Sequence, residues 1–81
     1  MIFNFNNTKT LINETDNIKI EGIIKNGTKE DKLLLTQNLN LNPQNFLLLT
    51  KESDFDIRLS LIGNKNIPFK ILQNMCTKLY I

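Results

Sequence analysis

The chain has 81 residues, which leaves room for one small domain, because domains usually span about 100–200 residues. Its apolar share of 41% comes from medium and large side chains, so a compact core is expected rather than a disordered or collagen-like segment. The chain has one cysteine, no histidine and a net charge of only +2. It therefore has neither an intramolecular disulfide nor the usual metal ligands or general base. We expect no enzyme, catalytic residue, metal site or cofactor.

A repeat with a period of 26 residues divides the chain. Residues 30–40 return as residues 56–66, with an acid, a base, two leucines and two asparagines in register. The base is Lys32 in the first copy and Arg58 in the second. We predict a single domain, residues 1–81, made of a degenerate amino-terminal repeat or cap (1–27) and two repeats (28–53 and 54–81).

The amino-terminal segment is compatible with two kinds of secondary structure. Ile18 and Ile20 alternate with charged residues as in a strand, whereas Ile20, Ile23 and Ile24 also suit one face of a helix. The 26-residue register favours the helix.

Each of the two repeats is predicted to contain two short helices. Thr28 and Asp54 would cap the first helix of each repeat, because their side chains can accept hydrogen bonds from free amides. Pro43 and Pro68 lie where the second helices start. Gly63 and the Asn-x-Asn pairs would close the first helices, since glycine and asparagine tolerate left-handed backbone. The side chains that follow the two prolines at helical spacing are Phe46, Leu47 and Thr50 in one repeat and Ile71, Leu72, Met75 and Leu79 in the other.

The motif Asn64-x-Asn66-Ile67-Pro68, followed by Leu72 and Met75 and preceded by Asp56-Ile57-Arg58-Leu59, resembles the leucine-rich repeat variant and the short HEAT-like repeats of bacterial proteins. The resemblance covers about residues 29–79. It implies an all-α fold in which helix pairs stack into a short right-handed solenoid. It also implies a binding function, with DNA handling in certain HEAT-like glycosylases.

Arg58 and its counterpart Lys32 are the first candidates for contact with a partner. Arg58 either forms local charge-assisted bonds that lock one repeat to the next or points from a concave face towards a partner. The recurring asparagines, by contrast, are expected to satisfy turn and helix-end backbone groups. These asparagines are Asn38, Asn40, Asn64 and Asn66.

Both ends of the chain carry large apolar side chains, and an unfinished solenoid exposes the face on which the next repeat would stack. We therefore expect at least one end to be covered by a second copy or by a target protein; folding back onto the chain's own core is the alternative. The candidate residues are Phe3, Phe5, Leu79, Tyr80 and Ile81.

No apolar run approaches the ~20 residues that cross a bilayer, and the first residues lack the basic region of a signal peptide, so we expect a cytoplasmic protein with no membrane partner. Cys76 is expected to be a half-buried small apolar residue. Absent alanine and valine, with 13 asparagines, indicate a low-GC bacterium or phage.

Three functions are compatible with these patterns. The leading one is a small, non-enzymatic helical-repeat module that binds a protein partner, which would suit an inhibitor of a host factor encoded by a phage or mobile element. The second is nucleic-acid binding on a concave face, and the third is an enzyme subunit without catalytic residues of its own. The basic residues of the second are Lys29, Lys32, Arg58, Lys65 and Lys70.

Overall fold

Every regular element that the computed structural model describes, between residues 11 and 80, is an α-helix, which confirms the predicted all-α class. The structure describes the backbone of residues 11–80 and the side chains of residues 11–76. A helical turn at residues 11–13 precedes five helices. These helices are α1 (Asn17–Asn26), α2 (Lys29–Thr36), α3 (Pro43–Thr50), α4 (Phe55–Ile62) and α5 (Phe69–Tyr80).

Side-chain oxygens cap the starts of the first four helices. Thr28 Oγ1 accepts the amide of Asp31 at 3.1 Å, and Asp54 Oδ1 accepts the amide of Ile57 at 3.1 Å, as the sequence predicted. Asp16 caps α1 in the same way, by accepting the amide of Ile18. Asn42 caps α3.

The two prolines occupy slightly different positions at their helix starts. Pro43 is the first residue of α3, where its missing N–H leaves no hydrogen bond unmade. Pro68 lies one residue before α5, and its carbonyl accepts the amide of Leu72 at 3.0 Å. Pro68 therefore adjoins α5 and is not its first helical residue.

Contacts join α1 to α2, α3 to α4 and α4 to α5 along the chain, and they also join helices two places apart. Helix α2 packs against α4, while α3 packs against both α1 and α5. The helices thus alternate between two rows in a body that measures 42 × 21 × 20 Å. The fully or almost fully buried apolar side chains lie between the rows: Ile20, Ile24, Leu35, Phe46, Leu49, Ile57, Leu61 and Met75.

Burial repeats with the sequence period. Leu35 and Leu61, which are 26 residues apart, are both fully buried, and Leu49 and Met75 form a second buried pair with the same spacing. Ile20 and Ile24 are buried on α1, so the helix is the correct interpretation of residues 17–26.

Three local predictions are wrong. Gly63 does end α4, but with a φ of −79°, and no residue in the described range has positive φ, so left-handed backbone closes none of these helices. Cys76 is exposed on α5 and is not half-buried. Leu47 was expected at the apolar face of α3, yet 52% of it is exposed while the adjacent Phe46 is buried.

Gly22, in the middle of α1, and Gly27, directly after its end, differ in the space that a Cβ atom would have. A Cβ atom on Gly27 would meet the backbone oxygen of Ile23 at 2.6 Å, closer than packed atoms approach. A Cβ on Gly22, in the exposed middle of α1, would meet nothing within 4 Å. Position 27 therefore needs glycine, because the backbone approaches it closely, whereas position 22 does not.

In the part of the chain that the structure describes, no helix combines the length and the apolar character needed to cross a membrane.

Candidate binding surface

Two buried asparagines join successive turns of the structure. Asn38 Nδ2 donates to the carbonyls of Leu11 and Glu14 at 2.9 and 2.8 Å. Twenty-six residues later, Asn64 Nδ2 donates to the carbonyls of Thr36 and Asn38 at 2.7 and 2.8 Å. Each buried side-chain amide thus donates to two carbonyls of an earlier turn. The Asn64 amide donates to the carbonyl of Asn38, so the two asparagines are directly connected.

The carbonyl oxygens of these asparagine side chains hold their own turns. Asn38 Oδ1 accepts the amide of Asn40, and Asn64 Oδ1 accepts the amide of Asn66 at 2.8 Å. The exposed Asn66 adds one bond, from Nδ2 to the carbonyl of Leu39. The prediction that the recurring asparagines serve backbone groups is confirmed for Asn38, Asn64 and Asn66, so these three are excluded from the candidate binding residues.

A third buried amide is not satisfied. Asn45 on α3 is 2% exposed, and its Nδ2 has no hydrogen-bond partner among the described residues. Ile71 occupies the matching place 26 residues later and is also buried. Burial without a partner is unfavourable for an amide, so Asn45 weakens the core at this point.

A three-residue ion cluster ties the starts of α2 and α4 together. Lys29 Nζ lies 2.9 Å from Asp56 Oδ2 and 3.2 Å from Asp54 Oδ2. Hydrogen bonds to Asp56 and Asp54 raise the pKa of Lys29. The hydrogen bond from the Ile57 amide, together with Lys29, lowers the pKa of Asp54. All three charged groups are therefore paired with one another within the fold.

Lys32 and Arg58 both approach the turn between α3 and α4, but they bind it differently. Lys32 Nζ pairs with Glu52 Oε2 at 3.1 Å, with side chains only 17% and 21% exposed. Arg58 Nη1 donates to the backbone carbonyls of Thr50 and Glu52 at 2.6 and 3.3 Å. Arg58 therefore forms local bonds, but it has no carboxylate partner in the described part of the chain.

Arg58 lies in the wall of a small groove formed by α3, α4 and α5. The groove has a volume of about 220 Å³. Its apolar lining consists of Leu47, Ile71 and Met75, and Thr50 and Asn74 line it beside Arg58. Because the Arg58 bonds to protein use Nη1 alone, other N–H groups of the guanidinium remain for a ligand.

A second, wider depression of about 480 Å³ follows the carboxyl ends of α2 and α4. Leu39 and Leu59 give it an apolar part. Its polar lining includes Thr36 and Ser60, whose hydroxyls bond to each other, and Asn64, whose amide is fully used. Its other polar lining residues, Gln37 and Lys65, are exposed, so only part of the polar lining is committed to the fold.

The structure brings together only part of the residue set predicted from the sequence. Arg58 lies in the groove, whereas Lys32 is occupied by Glu52 nearby. Phe3, Phe5 and Ile81 lie outside the described residues, as do the side chains of Leu79 and Tyr80. The sequence did not predict Leu47 and Asn74 as lining residues. For Leu47 the reason is that spacing alone does not tell which of two adjacent apolar residues, Phe46 or Leu47, is exposed.

The basic residues proposed for nucleic-acid binding do not form one free set. Lys29, Lys32 and Arg58 are engaged in the bonds described above, while Lys65 and Lys70 are exposed. Among the described residues, His, Cys, Asp and Glu side chains nowhere form a group of three that could hold a metal ion.

No protein-family model, curated protein or solved structure matches this chain.

Proposed function

We propose that the chain is a small, non-enzymatic helical-repeat module that binds a protein partner through the groove between α3, α4 and α5. The observation that supports this proposal is the juxtaposition of Arg58, which lacks a carboxylate partner within the described residues, with the exposed Leu47. A guanidinium beside apolar side chains is a combination enriched at protein interfaces.

The repeat architecture proposed from the sequence is supported by the recurrence of the Asn38 and Asn64 bonds and by contacts between helices two places apart. Stacked helical repeats present extended surfaces to partners. A host factor inhibited by a phage or mobile-element protein is the kind of partner proposed from size and composition. Nucleic-acid binding has less support, because two of its five basic residues, Lys29 and Lys32, are paired with carboxylates within the fold.

The test is a quantitative capture experiment with the full chain carrying an affinity tag. The bait variants are wild type, Leu47→Gln and Ile18→Gln, each incubated with an extract of the cells that encode the protein. Ile18 is a matched control, because it is an exposed aliphatic residue on α1 and does not line the groove.

We expect wild type and Ile18→Gln to retain the same polypeptide in a saturable manner and Leu47→Gln to retain much less of it. Circular dichroism of the three baits establishes that they are equally folded. Equal retention by all three baits, or no saturable retention by wild type, would contradict the proposal.

A further inference from the structure

Resting on the proposed function, we infer that the groove recognises the carboxyl-terminal residue of a partner polypeptide when that residue is aliphatic. The terminal carboxylate would bind the Arg58 guanidinium, and the aliphatic side chain would lie against Leu47, Ile71 and Met75. The inference depends on charge complementarity, groove size and the position of the polar groups.

Charge complementarity indicates an anion. The three carboxylates nearest to Arg58 in sequence are taken by lysines: Asp54 and Asp56 by Lys29, and Glu52 by Lys32. Arg58 is bonded only to carbonyl oxygens, which leave its charge unneutralised within the described residues. A carboxylate is the planar acceptor that a guanidinium binds best, through two parallel N–H···O bonds.

Groove size indicates a single residue. A volume of about 220 Å³ is below the range of roughly 300–1,000 Å³ that holds a drug-sized ligand. A carboxyl-terminal aliphatic residue carries its carboxylate and its apolar side chain on one Cα atom, so both fit a small space. An internal acidic residue would need a second residue to supply the apolar group.

Two other polar residues, Thr50 and Asn74, line the groove. The Thr50 hydroxyl donates to the carbonyl of Leu47, so Asn74 is the one considered for a polypeptide end. A terminal residue presents an amide N–H as well as the carboxylate. The Asn74 side chain can accept the first and donate to the second. Apolar contact, a charge-assisted bond and an amide bond then converge on one residue of the partner.

The test titrates the full-length wild-type protein with three small probes and follows backbone and methyl signals by NMR. The probes are N-acetylglycyl-leucine, its carboxyl-terminal amide, and an acetylated, amidated leucyl-glutamate in which the carboxylate is on a side chain. The first two differ only in the charged group. No variant is needed for this comparison, so a failure of folding cannot obscure it.

We expect the free carboxylate probe to shift the Leu47, Ile71 and Met75 methyl signals saturably at concentrations up to about 20 mM and to bind about tenfold or more tightly than its amide. The leucyl-glutamate probe should bind as weakly as the amide. In Leu47→Gln the carboxylate probe should bind several-fold more weakly, while Ile18→Gln should bind it as wild type does.

Equal binding of the carboxylate and the amide, preferred binding of leucyl-glutamate, saturable shifts at other residues only, or no saturable shift would each overturn the inference. This outcome is distinguishable from failure of the proposed function. If a captured polypeptide depends on Leu47 but the carboxylate gives no advantage, the groove binds a protein by other chemistry. If capture does not depend on Leu47, the proposed function itself falls.

Discussion

Replacing Asn64 by alanine tests whether the buried asparagines hold the helices together. Asn64 is 5% exposed and makes three hydrogen bonds: to the carbonyls of Thr36 and Asn38, and from the amide of Asn66. At about 1 kcal/mol net for each bond, Asn64→Ala should lower the free energy of unfolding by about 3 kcal/mol. Carbonyls left buried without donors would increase that loss.

The matched control is Asn66→Ala. Asn66 is exposed, and its side chain makes a single bond, to the carbonyl of Leu39. This substitution should cost about 0.5–1 kcal/mol. Urea denaturation followed by far-ultraviolet circular dichroism gives both values, provided that the dependence of the free energy on urea is similar in the variants.

A domain of this length is stable by about 4–12 kcal/mol, so Asn64→Ala should keep about 1–9 kcal/mol and remain folded, weakly at the lower end of that range. Hydrogen exchange of the wild type supplies a second measurement that does not depend on the variant. The Asn66 amide, held by Asn64 Oδ1, should exchange far more slowly than an exposed turn amide. Equal destabilisation by the two substitutions, together with a rapidly exchanging Asn66 amide, would refute the reasoning.

Four further substitutions test other features of the structure, each measured by the urea midpoint. Gly22→Ala should stabilise the chain by up to about 1 kcal/mol, because alanine has the higher helix propensity and its Cβ meets nothing. Gly27→Ala should destabilise the chain by about 1–3 kcal/mol, because its Cβ would clash with the backbone oxygen of Ile23. The same sign for both changes would contradict the argument. Asn45→Leu should be neutral or stabilising, because it removes a buried amide without a partner; a loss above about 1 kcal/mol would show that the amide is satisfied. The lowered pKa of Asp54 means that its stabilisation is present above its ordinary pKa and is lost as the pH falls through the lower, folded value. Asp54→Asn preserves the cap but removes this titration, so the midpoint should fall less steeply below about pH 4 than in wild type, and an unchanged slope would argue against the assignment.

Features that depend on neighbouring residues were predictable from the sequence, and those that depend on distant ones were not. The caps at Thr28 and Asp54 require only an oxygen and an amide three residues ahead, so composition and spacing predict them. The recurrence of Asn38 and Asn64 predicts a backbone role, but the sequence does not say which carbonyls they bind. Those carbonyls lie 24–28 residues away and become partners only when the helices pack.

The unpaired guanidinium in the groove could not be predicted, because it depends on which basic residue pairs with Asp54 and Asp56. Arg58 stands next to two aspartates in sequence, which suggests a local ion pair. In the structure Lys29 takes both aspartates, and Arg58 turns to the carbonyls of Thr50 and Glu52. A residue far away in sequence thus leaves the guanidinium without a carboxylate partner in the described range.

Comparison of equivalent positions shows how the surroundings of Arg58 differ from those of Lys32. Twenty-six residues before Leu47 and Ile71, which wall the groove, the sequence has Glu21 and Asn45.

Glu21 is paired with Lys25 at 2.9 Å, and Lys32 with Glu52 at 3.1 Å. At these two lining positions the earlier copy therefore has polar residues and a paired base, whereas the later copy has apolar residues and a base with N–H groups available. The proposed binding chemistry therefore depends on positions at which the second copy of the sequence repeat departs from the first.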